Sequence, residues 1–300
     1  MIVVHGYLLK LETRELIRDN ANGWLKELFE NVVATLSPDL ERITLIVAES
    51  FRQAKTNLGS AGERAGSEAG ITRVLEETHS KPGDETLLKP WKGAVDFSSN
   101  SVYVIVKPTR IRELHCIYEM VTWGMAHEIS EGVVSIHNQP DWDWLGQREQ
   151  VVLHSYHPNP DRVLYAVKMI VREILANNYA AEHGFQREML CTTSVENARY
   201  FASGISPEDI SPESGYSRVH AYMTLLSQDR SVSLEAAGHK ELADICLKIW
   251  DAGISALGET YESLLGGYKG FRSKCLASPL TAESLLTLFN TTCITSTPVS

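Results

Sequence analysis

The sequence predicts an α-rich α+β fold: a helical core with a small sheet built from strands in the first half of the chain. Three observations carry this. Apolar residues recur at helical spacing over most of the chain, as at Val163, Val167, Ile170 and Ile174. Ser101 to Lys107, SVYVIVK, is short, β-branched and closed by Pro108, which is how a strand reads. The remaining strand-like segments also fall before residue 140, so helices dominate the second half.

Taken in order, residues 2–10 alternate loosely and predict a strand. Thr13 can cap a helix to about Leu36, with Ile17, Trp24, Leu25, Leu28, Phe29, Val32 and Val33 inward. Ser37-Pro38 offers a cap and a first-turn proline, and Leu40, Ile43, Val47, Ala54 and Leu58 then keep helical spacing until Gly59. GSAGERAGSEAG, residues 59–70, is small and glycine-rich and opens a flexible connection over 59–100, with a short helix near 71–77 and a turn at SKPGDE. After the strand at 101–107, residues 109–131 predict a helix apolar on two faces and therefore buried on two sides. Ile111, Leu114, Tyr118, Val121, Met125 and Ile129 make one face, and Cys116, Met120, Trp123 and Gly124 the other.

Val133 to His137 reads as a strand and residues 138–149 as a loop. Asn159-Pro160-Asp161 opens a helix that stops at Gly184. Further helices are expected at 194–203, 214–227, 232–257, 259–266 and 280–290, with a loop at 205–215 and a loose tail at 291–300. The implied organisation is 1–58, a connection 59–100, a helical main domain 101–290 and a tail 291–300, or one domain throughout.

Hydrophobic residues at 43% and charged residues at 22% belong to an ordinary globular chain. A net charge of −10 disfavours a broad nucleic-acid surface, since the basic spots at Lys107 to Arg112 and Lys269 to Lys274 are short. The five cysteines form no CxxC pair, the first residues lack a basic leader, and no apolar run of about 18 residues exists. A cytoplasmic protein with no membrane partner is expected.

Candidate chemistry concentrates in GMAHEISEGVVSIH, residues 124–137. A zinc-protease helix places two histidines four apart so that both reach one ion, and the glutamate after the first takes a proton from water. Here His127, Glu128 and Glu131 fill that register, and His137 stands at the offset of the third histidine in the metzincin pattern H-E-x-x-H-x-x-G-x-x-H. Two positions depart from it: Glu131 replaces the second histidine, and Val134 replaces the glycine. His127 and Glu131 continue a buried helix face, where a carboxylate needs a partner. His154 and His157, just before a helix, are further candidate ligands. Asp141-Trp142-Asp143-Trp144 is a weak divalent-ion motif whose tryptophans could instead plug the core. Glu173, Asn177, Asn178, Glu182 and His183 read as a polar outer face, although a carboxylate there could complete a metal site.

The leading expectation is a metal-assisted hydrolase of an amide or ester, holding Zn²⁺ through His127 and Glu131. Glu128 would be its base, with His137, His154 or His157 completing the shell. The first rival is a non-enzymatic assembly, adaptor or coat-like protein, a homo-oligomer with Trp142 and Trp144 as contact residues. The second is a helical protein holding haem or a small apolar ligand, with His127 or His239 as axial ligand.

Overall fold

The computed structural model describes residues 2–6, 22–47, 90–96, 100–153, 160–203, 229–230, 232–245 and 269–277. The chain divides into two compact units: Met1–Ile136 with His183–Glu188, and His137–Glu182 with Met189–Ser300. The described residues are mostly helical, with one small sheet, so the fold is α-rich α+β.

The sheet belongs to the first unit. Its strands are β1 (Ile2–Gly6), β2 (Arg42–Val47), β3 (Trp91–Asp96) and β4 (Ser101–Val106), in the order β1-β2-β4-β3. β1, β2 and β4 run parallel, and β3 is antiparallel to β4. Helix α1 (Asn22–Leu36) supplies the crossover a parallel β1–β2 pair needs and lies against β2. Its buried stripe is Leu25, Leu28, Phe29, Val32 and Leu36, spaced as the sequence predicts. The expected start of this helix, at residues 13–21, lies outside the described residues, as does 48–89 with its glycine-rich connection.

Residues 42–47 form a strand where helical spacing predicted a second helix. Ile43, Leu45, Ile46 and Val47 are all buried, because a strand with neighbours on either side and both faces covered shows a continuous apolar run. Such a run carries no period of two, so periodicity alone misassigns it. Ser37 turns the chain out of α1 with φ 42, and its N–H donates to the Val33 carbonyl at 2.9 Å. β3 also falls inside the segment that read as a flexible connection, and its pairing with β4 is what makes it a strand.

The helix predicted over 109–131 is two helices. α2 (Pro108–Glu113) begins at the proline that closes β4. His115, with φ 48, then breaks the path, and the Cys116 N–H donates to the Ile111 carbonyl at 3.0 Å. α3 (Tyr118–Leu153) continues through the strand and loop expected at 133–149. The helix expected to end at residue 131 runs on through Gly132, where a Cβ would stand 2.4 Å from a Val102 methyl. The lack of a side chain there serves close packing on the sheet. Pro140 removes one N–H from the ladder while keeping a helical φ.

α4 (Pro160–Glu182), in the second unit, matches its prediction, and Gly184, counted with the first unit, follows its end with φ 99. α5 (Gln186–Ser203) starts earlier than expected. Helical stretches stand at 232–236, 240–245 and 269–276, and Gly238 with φ 86 interrupts the segment that read as one helix from 232. The helices expected at 214–227, 259–266 and 280–290 and the tail at 291–300 lie outside the described residues. Among the described residues no helix is long and apolar enough to cross a membrane.

Candidate functional site

Two adjacent stripes on α3 do different work. Gly124, Glu128 and Gly132 are four apart and so share one face. That face meets the sheet. The Trp91 indole lies on Gly124, leaving only 2.2 Å to a would-be Cβ, and Val102 lies on Gly132. Between them, the Gly93 N–H donates to Glu128 Oε2 at 2.5 Å. The Lys107 N–H donates to the Pro90 carbonyl, which fixes the alternation of the β3–β4 ladder. By that alternation the N–H groups of Trp91, Gly93 and Val95 point away from β4, toward the rim of the sheet. Glu128 therefore answers a rim N–H from a buried position.

The second stripe is Trp123, His127 and Glu131, displaced by one residue from the first. The Trp123 and His127 rings have centroids 5.5 Å apart, tilted by 36°. His127 Nε2 stands 3.8 Å from Glu131 Oε1, with side-chain exposures of 5% and 16%. An imidazole and a carboxylate thus meet in a mostly dry setting. The low local dielectric makes their attraction strong and makes either group costly alone. The polar neighbours on α3 are satisfied locally: Ser130 Oγ donates to the Ala126 carbonyl and Thr122 Oγ1 to the Tyr118 carbonyl.

The other predicted residues are placed as follows. His137 is exposed on α3, which continues through Gly132. Asp141, Trp142, Asp143 and Trp144 stand in helical backbone where a loop was expected. His154 and His157 lie outside the described residues. Glu173 is half-buried on α4, and His239 half-buried after Gly238.

The expected polar outer face of α4 is not one. Asn177 is 1% exposed, and its Nδ2 donates to Asp229 Oδ2 at 2.9 Å. Asp229, Ser233 and Arg272 form the rest of this buried cluster in the second unit, and sequence reasoning missed all three. Arg272 sits in the short basic run Lys269 to Lys274, and its partner is 43 residues away, beyond any local pattern. Cys275 lies beside them; burial pushes its thiol well up, the Asp229 carboxylate adds to this and Arg272 opposes it.

No protein-family model, curated protein or solved structure matches the chain.

Proposed function

We propose that the first unit binds a divalent transition-metal ion, Zn²⁺ first, through His127 and Glu131, and that the ion serves hydrolysis of an amide or ester. The observation that supports this is the 3.8 Å separation of a mostly buried imidazole nitrogen and carboxylate oxygen. Two ligand atoms about 2.1 Å from a tetrahedral ion stand about 3.4 Å apart, so the pair needs only a small adjustment. One nitrogen and one oxygen donor suit zinc or iron better than calcium. Such an ion supplies Lewis acidity and makes hydroxide available near neutral pH.

Glu128 is the proposed base. Gly93 holds Oε2, which leaves the other carboxylate oxygen for the proton. The metal content of the untagged full chain tests the reading. About one equivalent of zinc or iron is expected, lost in His127→Ala and in Glu131→Gln. Absence of metal from the parent ends the proposal. Alanine at His137, His154 and His157 and glutamine at Glu173, in the same assay, identify any further ligands. Glu128→Gln keeps an acceptor for Gly93, so it should keep the metal and lose turnover.

A reducing, cytoplasmic setting is part of this proposal. Among the described residues Cys116, Cys191 and Cys275 form no disulfide, which supports it. Recovery of the native protein only from an oxidising compartment would reject it.

The second reading is a binding protein. Ile117 and Tyr118, about half exposed at the start of α3, favour it. Light scattering after size exclusion separates a monomer from an assembling chain.

A further inference from the structure

The rim of the sheet and the proposed base meet at one point, and that point selects a substrate. Among the described residues β3 is the outer strand on its side, and the Trp91, Gly93 and Val95 amides face away from β4. Their carbonyls do the same, because both polar groups of a residue in an antiparallel ladder turn to one side. Trp91 is buried, and Gly93 and Val95 are half-buried. Among the described residues nothing bonds the outward amides of Trp91 and Val95. Shielded strand amides favour a partner, and another extended backbone supplies N–H and C=O groups at their spacing of about 7 Å.

The middle position differs. The Gly93 N–H already donates to Glu128 Oε2. A Cβ on Gly93 would stand 3.4 Å from the Glu128 carbonyl oxygen, so the backbone of α3 itself comes up to β3 here. A strand added antiparallel to β3 can exchange hydrogen bonds with Trp91 and Val95. Opposite Gly93 its C=O finds a carboxylate in place of an amide and stays unpaired. The one carbonyl that β3 cannot satisfy thus lies beside the group proposed to take a proton from water.

We infer that the substrate is an extended polypeptide, captured by β3 as an added antiparallel strand and cut at the residue opposite Gly93. This rests on the proposed hydrolysis and narrows its amide or ester to a peptide bond. The oxygen of water bonds the carbonyl carbon. Glu128 takes the proton of that water and returns it to the nitrogen as the C–N bond breaks.

The test starts with reduced, carboxymethylated α-lactalbumin, a chain held unfolded, incubated with the full-length protein. Mass spectrometry maps the cuts. A ten-residue peptide centred on the preferred cut is then made with each amide N-methylated in turn. Only every second residue of an added strand turns its N–H to β3, so loss of cleavage should alternate with a period of two on both sides of the cut. In the protein, Val95→Pro removes one outward amide, a change an edge strand tolerates. It should raise KM for the unmethylated peptide by about five- to tenfold, with metal content as in the parent. Three results overturn strand capture: a metal-bearing parent that leaves the unfolded chain intact, N-methyl losses without alternation, or a Val95→Pro KM equal to that of the parent. If that parent still cleaves N-acetylalanine p-nitroanilide, hydrolysis stands and strand capture alone falls. A parent without metal overturns both. If Val95→Pro does not fold, the N-methyl series decides alone.

Discussion

A Cβ on Gly124 would stand 2.2 Å from the Trp91 indole, and one on Gly93 would stand 2.6 Å from Glu128 Oε2. Neither neighbour can retreat far, because Trp91 is buried and the Glu128 carboxylate is anchored. Gly124→Ala should therefore cost about 1–3 kcal/mol, the usual range for overpacking, read as a lower melting temperature with altered tryptophan fluorescence. Ser37 invites the opposite experiment. Its φ of 42 costs a residue with a Cβ about 1–2 kcal/mol, whereas glycine there costs about 0.5–1 kcal/mol in unfolded-chain entropy. Ser37→Gly should thus raise stability by roughly 0.5 kcal/mol in urea unfolding. At this scale, the sequence showed what local spacing can show. His127 and Glu131 are one turn apart on a helix, so their shared face was legible from spacing alone. Asp229 and Arg272 are 43 residues apart, and no window of the sequence contains both.

Elements were legible where their signals are internal. β4 carries its own β-branched run, and α4 opens with proline and closes at Gly184, so both stand where the sequence placed them. β2 was not legible, because burial on both faces erased its alternation. β3 was not either, since a glycine in a short strand weakens every local cue and only β4 and α3 define it. α3 misled through Gly132, which fits a helix stop as well as it fits a close approach to Val102. Hydrogen exchange separates the two uses. Amides just after Gly132 should be as protected as those at Met125 to Ile129, and a stop at Gly132 would show fast exchange beyond it. His115→Gly should stabilise the α2–α3 break, as Ser37→Gly does for the end of α1, because its φ of 48 lies in the same left-handed region.

For the whole molecule, a net charge of −10 makes copies repel one another, while among the described residues the sheet of the first unit ends in rims that charge alone does not close. Among the described residues β3 is such a rim, and outward strand N–H groups of this kind can template the strand of another molecule. The Gly93 N–H, central in β3, is occupied by the Glu128 carboxylate and so withdrawn from any incoming backbone. Glu128→Ala should free it. The expected outcome is turbidity that rises with protein concentration well below the melting temperature, with thioflavin-positive material, and Glu128→Gln should suppress both. By holding one strand amide, Glu128 keeps that amide from seeding cross-β growth.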